Sequence, residues 1–168
     1  VQSITPNTVA MHVQRTTVAA AHWREMAGRG ERMPVCISIG GDPASMYAAS
    51  APLPPTVDEF IFAGFLRKAP VHLAKAVTCD LEVPADAEFV LEGYIDPAEA
   101  LVTEGPFGDH TGFYSEADLY PQVHITAVKQ RKNPVHAPPN VGRPPSDAFS
   151  LAHAPALTYV PLRQPTCA

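Results

Sequence analysis

A chain of 168 residues and 18.0 kDa has the mass of one ordinary domain, enough to bury about 70% of its unfolded surface. With 46% apolar and 17% charged residues it should pack a core, and it contains no run of 18 apolar residues that could cross a membrane as a helix. A net charge of −5, a pI of about 5.7 and the lack of a basic stripe argue against nucleic acid as a partner.

The first residues, Val1 to Pro6, carry neither a basic start nor an apolar run. No secretory leader is expected, and the missing initiator Met predicts a chain that begins inside a longer one. Cys36, Cys79 and Cys167 are odd in number, far apart in sequence and without a CxxC pair. Neither a disulfide framework nor a zinc site is expected; the set fits reduced thiols of a cytoplasmic protein. Nineteen prolines, clustered at Pro52-Pro54-Pro55, Pro138-Pro139 and Pro144-Pro145, remove backbone donors and predict short, loop-joined elements.

In chain order, Val9 to Gln14 reads as a short strand. Residues 18–28 read as a helix, with Gly28 and Gly30 as its stop. Val35 to Ile39 is an apolar strand ended by Gly40-Gly41. Asp42-Pro43 then opens a short helix reaching Ala49. Asp58 to Arg67 should be an amphipathic helix with Phe60, Ile61, Phe65 and Leu66 inward. Val71 to Val83 reads as extended. Glu88 to Ile95 and Gln122 to Lys129 alternate as strands, and Ser146 to Leu162 reads as a helix interrupted at Pro155. The mixture predicts an α+β fold, a sheet or small barrel with short helices.

The charge map is uneven. The 53 residues from Ala76 to Val128 hold 11 acids and no Lys or Arg. Most of these should lie on a solvated face; any that are buried must be protonated or neutralised by a cation from elsewhere in the chain. Glu104 and Asp109 bracket Glu104-Gly-Pro-Phe-Gly-Asp109, a glycine- and proline-rich turn in which backbone can approach a ligand. Two acids so placed can face one pocket with different protonation states; the competing reading is a carboxylate capping nearby amides. Glu59, beside Asp58, fits a helix start or a metal ligand. The seven histidines show no HxxxH or HExxH spacing, and Ser115 has no nucleophile-elbow context.

The segment from Glu104 to Tyr114, reading EGPFGDHTGFY, closely resembles a signature of the UbiD family of prenylated-flavin-dependent decarboxylases. Gly40 to Pro43, Ala51 to Pro55, Ala63 to Leu66, Asp80 to Pro84 with Leu91 to Ile95, and Val141 to Pro145 resemble further family blocks in the same order. The resemblance implies a split β-barrel, flavin-binding type, as the α+β architecture. It implies that residues 1–168 are a single central domain, with the N-terminal and C-terminal family domains absent. It also implies non-oxidative decarboxylation of an aromatic or α,β-unsaturated acid, such as a 4-hydroxybenzoate or a polyprenyl-hydroxybenzoate of ubiquinone biosynthesis. The cofactor would be prenylated FMN, with Mn2+ and K+ or Na+. Partners would be the carboxylic acid, a flavin prenyltransferase as cofactor supplier, and further copies of the full-length protein.

Carried across, the resemblance makes Asp109 the proton donor and Glu104 the first acid of the catalytic pair. Glu59 becomes the carboxylate metal ligand. His12, Val13, Gln14, Thr17 and Val18 fall on the flavin-lining segment, and Ser50, Ala51 and Pro52 on a backbone turn beside the cofactor. Two departures stand out: Thr16 occupies the position of the histidine metal ligand, and the arginine that pairs with Glu104 belongs immediately before Val1. These departures leave a second reading open, a degenerate, non-catalytic subunit that keeps the fold as a scaffold or binding domain.

Overall fold

The computed structural model describes residues 1–13, 17–54, 56–108, 113–136, 138, 146–147, 150 and 153. Their elements in order are β1 (Gln2–Thr5), β2 (Thr8–Ala10), α1 (Val18–Arg29), β3 (Met33–Ile39), α2 (Pro43–Ser50), α3 (Glu59–Arg67), β4 (Leu73–Lys75), β5 (Glu82–Pro84), β6 (Phe89–Ile95), β7 (Val102–Glu104), β8 (Asp118–Tyr120) and β9 (Gln122–Gln130). The chain divides into two compact units. One comprises Val1–Asp42, Val71–Gly105 and Ala117–His136; the other comprises Pro43–Pro70, Pro106–Glu116 and Ala137–Ala168.

The first unit is built on an antiparallel sheet in the order β1-β2-β9-β6-β3. Alternation sorts its side chains. Met33 and Val35 of β3, Ile95 of β6 and Val123 of β9 form a buried cluster, against which Trp23 and Met26 of α1 pack. Cys36 points to the opposite face, where it packs with Val83, Ala87 and Val90 beside the β4–β5 hairpin. A helix thus covers one face of the sheet and a hairpin the other. Truncating Ile95, which is 1% exposed, to Ala should cost about 2–5 kcal/mol.

Helix α1 begins where Thr17 accepts a hydrogen bond from the Ala20 amide (3.3 Å). It ends at Gly30, whose φ of 68° is the left-handed conformation that glycine adopts at little cost. Gly28 lies inside the helix and stops nothing. Between β6 and β9 the register shifts between Glu92 and Gly93. There the strands approach so closely that a Cβ on Gly93 would collide with the His124 carbonyl.

Glu92 is fully buried on this sheet. Its carboxylate accepts hydrogen bonds from the amides of Val77 (2.8 Å) and Thr78 (2.7 Å) and from the Thr78 hydroxyl (2.8 Å). Lys129 adds an ion pair at 3.0 Å. The acids of the lysine- and arginine-free stretch are indeed served from outside it: Glu92 by Lys129, Glu88 by Arg131 and Asp96 by Arg32.

In the second unit α2 and α3 pack together, with Ala48 and Ala63 as their buried residues. The inward set proposed for α3 is corrected here: Ile61 is 73% and Phe65 75% exposed, and Leu66 is exposed as well. Alanine, the smallest side chain on the helix, is what the close approach to α2 accommodates. Phe62 stacks along the same helix on Phe65 instead.

The α+β expectation holds, with three named helices and antiparallel sheets among the described residues. The barrel does not close among the described residues. β1 and β3 are the two edges of the main sheet, and β4–β5 and β7–β8 form separate two-stranded sheets. Most of the helix expected between Ser146 and Leu162 lies outside the described residues. Among the described residues no helix is long and apolar enough to cross a membrane.

Candidate functional site

Glu104 is the last residue of β7, paired in register with Asp118 of β8. Gly105, at a φ of 95°, then turns the chain away from the sheet, and its amide donates to the Gln2 side chain at 2.9 Å. The turn leaves Glu104 behind in the interior, 2% exposed. Its Oε1 lies 3.1 Å from the Val1 amino group, and its Oε2 lies 3.4 Å from His12 Nδ1. The imidazole stands beside the carboxylate but is not aligned as a donor to it. Oε2 is therefore a buried carboxylate oxygen with no hydrogen-bond partner among the described residues, an arrangement that calls for a functional explanation.

Tyr120 holds the other side of the imidazole. Its hydroxyl is 3.2 Å from His12 Nε2, and the two rings stack with centroids 4.2 Å apart. Because Asp118 and Tyr120 are two residues apart on β8, one short strand places the partner of Glu104 and the support of His12 on the same face.

His12 and Tyr120 line a cavity of about 430 Å3, together with Val13, Trp23, Arg24 and Leu119. That is the size range of small-molecule sites. The lining is largely aromatic and aliphatic, with Arg24 and Asp118 as its charged members; Trp23 Nε1 is turned away from solvent and has no hydrogen-bond partner among the described residues. An aromatic and aliphatic wall of this kind suits a flat ligand.

The expected cofactor residues fall in both units, and Gln14 lies outside the described residues. His12 and Val13 line the cavity. Thr17 caps α1 with its hydroxyl, and Val18, 45% exposed, is the first residue of that helix. Gln14 and Thr16 lie outside the described residues. Ser50, Ala51 and Pro52 belong to the second unit, in the turn after α2, where the Ser50 hydroxyl donates to the Tyr47 carbonyl (3.0 Å) and the Leu53 amide to the Ala51 carbonyl (2.8 Å).

Glu59 is exposed at the start of α3, in the second unit. The cap itself is Asp58, which accepts from the amides of Phe60 (2.8 Å) and Ile61 (3.1 Å). Among the described residues no three His, Cys, Asp or Glu side chains come together as a metal site, and Thr16, the position matched to a second ligand, lies outside them. Asp109 also lies outside the described residues. The loop that carries it is pinched at its base: the Phe107 amide donates to Ser115 Oγ (3.1 Å), and the Ser115 amide donates to the Phe107 carbonyl (2.8 Å).

Sequence reasoning missed Trp23 and Tyr120 as cavity residues, and the closeness of His12 to Glu104. For Tyr120 a signal existed in the Asp118-Leu-Tyr120 alternation, but three residues are too few to separate a strand from a loop.

An uncharacterized protein of Aquifex aeolicus (strain VF5) is 47% identical over 161 residues, covering 96% of this chain and 33% of its own length. The chain thus spans about a third of the curated relatives that it matches. Among solved structures, the UbiD-class enzyme HmfF from Pelotomaculum thermopropionicum in complex with FMN superposes with a TM-score of 0.83 at 32% identity, over 97% of this chain and 36% of that one. An evolved dimeric form of the same enzyme carries prFMN. Vanillic acid decarboxylase of Sedimentibacter hydroxybenzoicus, in its closed form, reaches 0.83 at 31% identity, over 89% of this chain and 32% of that one. The model of the 3-octaprenyl-4-hydroxybenzoate carboxy-lyase Rift-related domain matches residues 1–144, and the chain belongs to the UbiD family.

Proposed function

We propose that this chain is the central domain of a prenylated-FMN-dependent carboxy-lyase acting on an aromatic or α,β-unsaturated carboxylic acid. The observation that carries the reading is Glu104: a buried carboxylate whose Oε2 has no hydrogen-bond partner among the described residues, 3.4 Å from a histidine that lines an aromatic cavity. The solved UbiD-class structures with FMN and prFMN, and the decarboxylation of vanillic acid by a structural neighbour, support the same chemistry.

Prenylated FMN, when bound, supplies the electron sink required when CO2 leaves an sp2 carbon. The chain's own residues do the rest. Val13, Trp23 and Tyr120 wall the cavity and supply apolar and aromatic surface to a ring held there. His12, braced by Tyr120, is held beside Glu104. Glu104 keeps an acceptor open for a proton, and its Oε1 faces Val1, the end from which the family resemblance brings an arginine. Asp109 takes the role of the acid that protonates the carbon that has lost CO2.

A hydroxybenzoate or polyprenyl-hydroxybenzoate substrate, in ubiquinone biosynthesis, completes the proposal, with a flavin prenyltransferase as supplier, a cytoplasmic setting and a homo-oligomeric full-length protein. The test is to purify the native-length protein after co-expression with the prenyltransferase. A flavin absorbance band, CO2 release from candidate acids and solvent-deuterium exchange are the expected results. Neither CO2 release nor exchange with any candidate acid would overturn the proposal.

The second reading, a non-catalytic scaffold subunit, is favoured by one observation, Thr16 in place of the family's histidine. It predicts a colourless protein even when manganese and prenylated flavin are supplied.

A further inference from the structure

Cys36 and Cys79 are 43 residues apart in sequence, yet their sulfurs lie 3.5 Å from each other. Both are free thiols and both are half-buried. Cys36 sits in the ladder of β3, opposite Glu92 of β6. Cys79 sits in the loop that joins β4 to β5. Burial pushes the Cys36 thiol up to about 12, and the neighbouring Cys79 adds to the shift.

The loop is held in place for this meeting. Buried Glu92 accepts from the amides of Val77 and Thr78, the two residues before Cys79, and the Thr78 hydroxyl also reaches Thr126 Oγ1 at 2.9 Å. Across the loop the Ala76 amide donates to the Leu81 carbonyl at 2.8 Å. The sulfurs must close by about 1.5 Å to reach a bonding distance near 2.05 Å. Cys79, outside any ladder, is the side that can move.

We propose that Cys36 and Cys79 are a redox modification site that closes to a reversible disulfide, fastening the β4–β5 loop to edge strand β3. The oxidant is a low-molecular-weight disulfide such as oxidised glutathione. Cys79, as thiolate, attacks one of its sulfurs, and one glutathione thiolate leaves. Cys36 then gives its proton to solvent and attacks the Cys79 sulfur, and the second glutathione leaves. Two protein thiols are oxidised by two electrons while one small disulfide becomes two thiols.

The placement gives the bond a purpose. The chain leaves the first unit after Asp42 and returns at Val71, and the stretch between carries α2 and α3. A Cys36–Cys79 bond ties off both ends of that excursion within the first unit and removes freedom from the unfolded chain. The inference stands on the thiols alone and is independent of the flavin reading.

The test equilibrates the native chain in oxidised and reduced glutathione, quenches with an alkylating reagent and maps the peptides. A linked Cys36–Cys79 peptide is expected, with a Tm at least about 5 °C above the reduced form. Dithiothreitol should abolish the difference, as should Cys79→Ser and Cys79→Ala, loop substitutions that leave β3 intact. Both cysteines remaining alkylatable, a persistent glutathione adduct, a link through Cys167, or a lower Tm on oxidation would each overturn the proposal.

Discussion

The Lys129 ammonium stands 3.0 Å from Oε1 of Glu92, a carboxylate with no exposed surface. Burial alone would raise the Glu92 carboxyl; the amides of Thr78 and Val77, together with Lys129 and the Thr78 hydroxyl, outweigh it and hold it at about 2, against an ordinary value of 4.5. A depressed folded-state value means that the folded protein resists protonation. The stabilisation from Glu92 is therefore complete above pH 4.5 and is lost as pH falls toward 2. Glu92→Gln should flatten the acid limb of the stability–pH curve. At neutral pH Glu92→Ala should cost about 2–3 kcal/mol, because Lys129 and two amides lose their partner. Urea unfolding followed by circular dichroism between pH 2 and 7 measures both.

Glu104→Gln keeps the shape of the side chain and removes its charge. In the native-length protein we expect turnover to fall by about 100-fold or more with the flavin absorbance band retained. Asp109→Asn should abolish turnover and likewise leave the cofactor bound. Single-turnover CO2 release, read beside the flavin spectrum, separates loss of chemistry from loss of binding.

Asp58 accepts from two backbone amides at the start of α3. Asp58→Ala should destabilise that helix by about 1 kcal/mol and loosen its first turn, which contains Glu59. Hydrogen exchange at Phe60 and Ile61 should accelerate, while exchange in β6 and β9 should not change.

Thr16→His restores the imidazole that the family resemblance places there. Manganese content after metal loading and desalting, measured by elemental analysis, should rise several-fold. An unchanged metal content would place the ligand set elsewhere in the full-length protein.

Local chemistry was readable where one residue type sets the geometry. Gly30 ends α1, Asp58 starts α3, and the Gly40-Gly41 pair ends β3, just as their backbone preferences require. What escaped needed tertiary information. β1, β7 and β8 have four residues or fewer, too short for a period to show. Ile61 and Phe65 have the spacing of a buried stripe, yet α3 meets α2 through alanine. Glu92 sits at a position that alternation would give to solvent, and only the fold brings the β4–β5 loop over it. The motif around Glu104 and Asp109 pointed to the chemistry; that His12 stands beside Glu104 is a contact across 92 residues that no spacing rule contains.

Gly93 has a practical bearing on mutational surveys of this protein. With the His124 carbonyl filling the space of a methyl group, every replacement must pry two neighbouring strands apart. The position can therefore serve as an internal gauge of structural integrity: variants that lose activity while Gly93 tolerates nothing report on the whole scaffold, and only those behaving unlike it speak for the reaction itself.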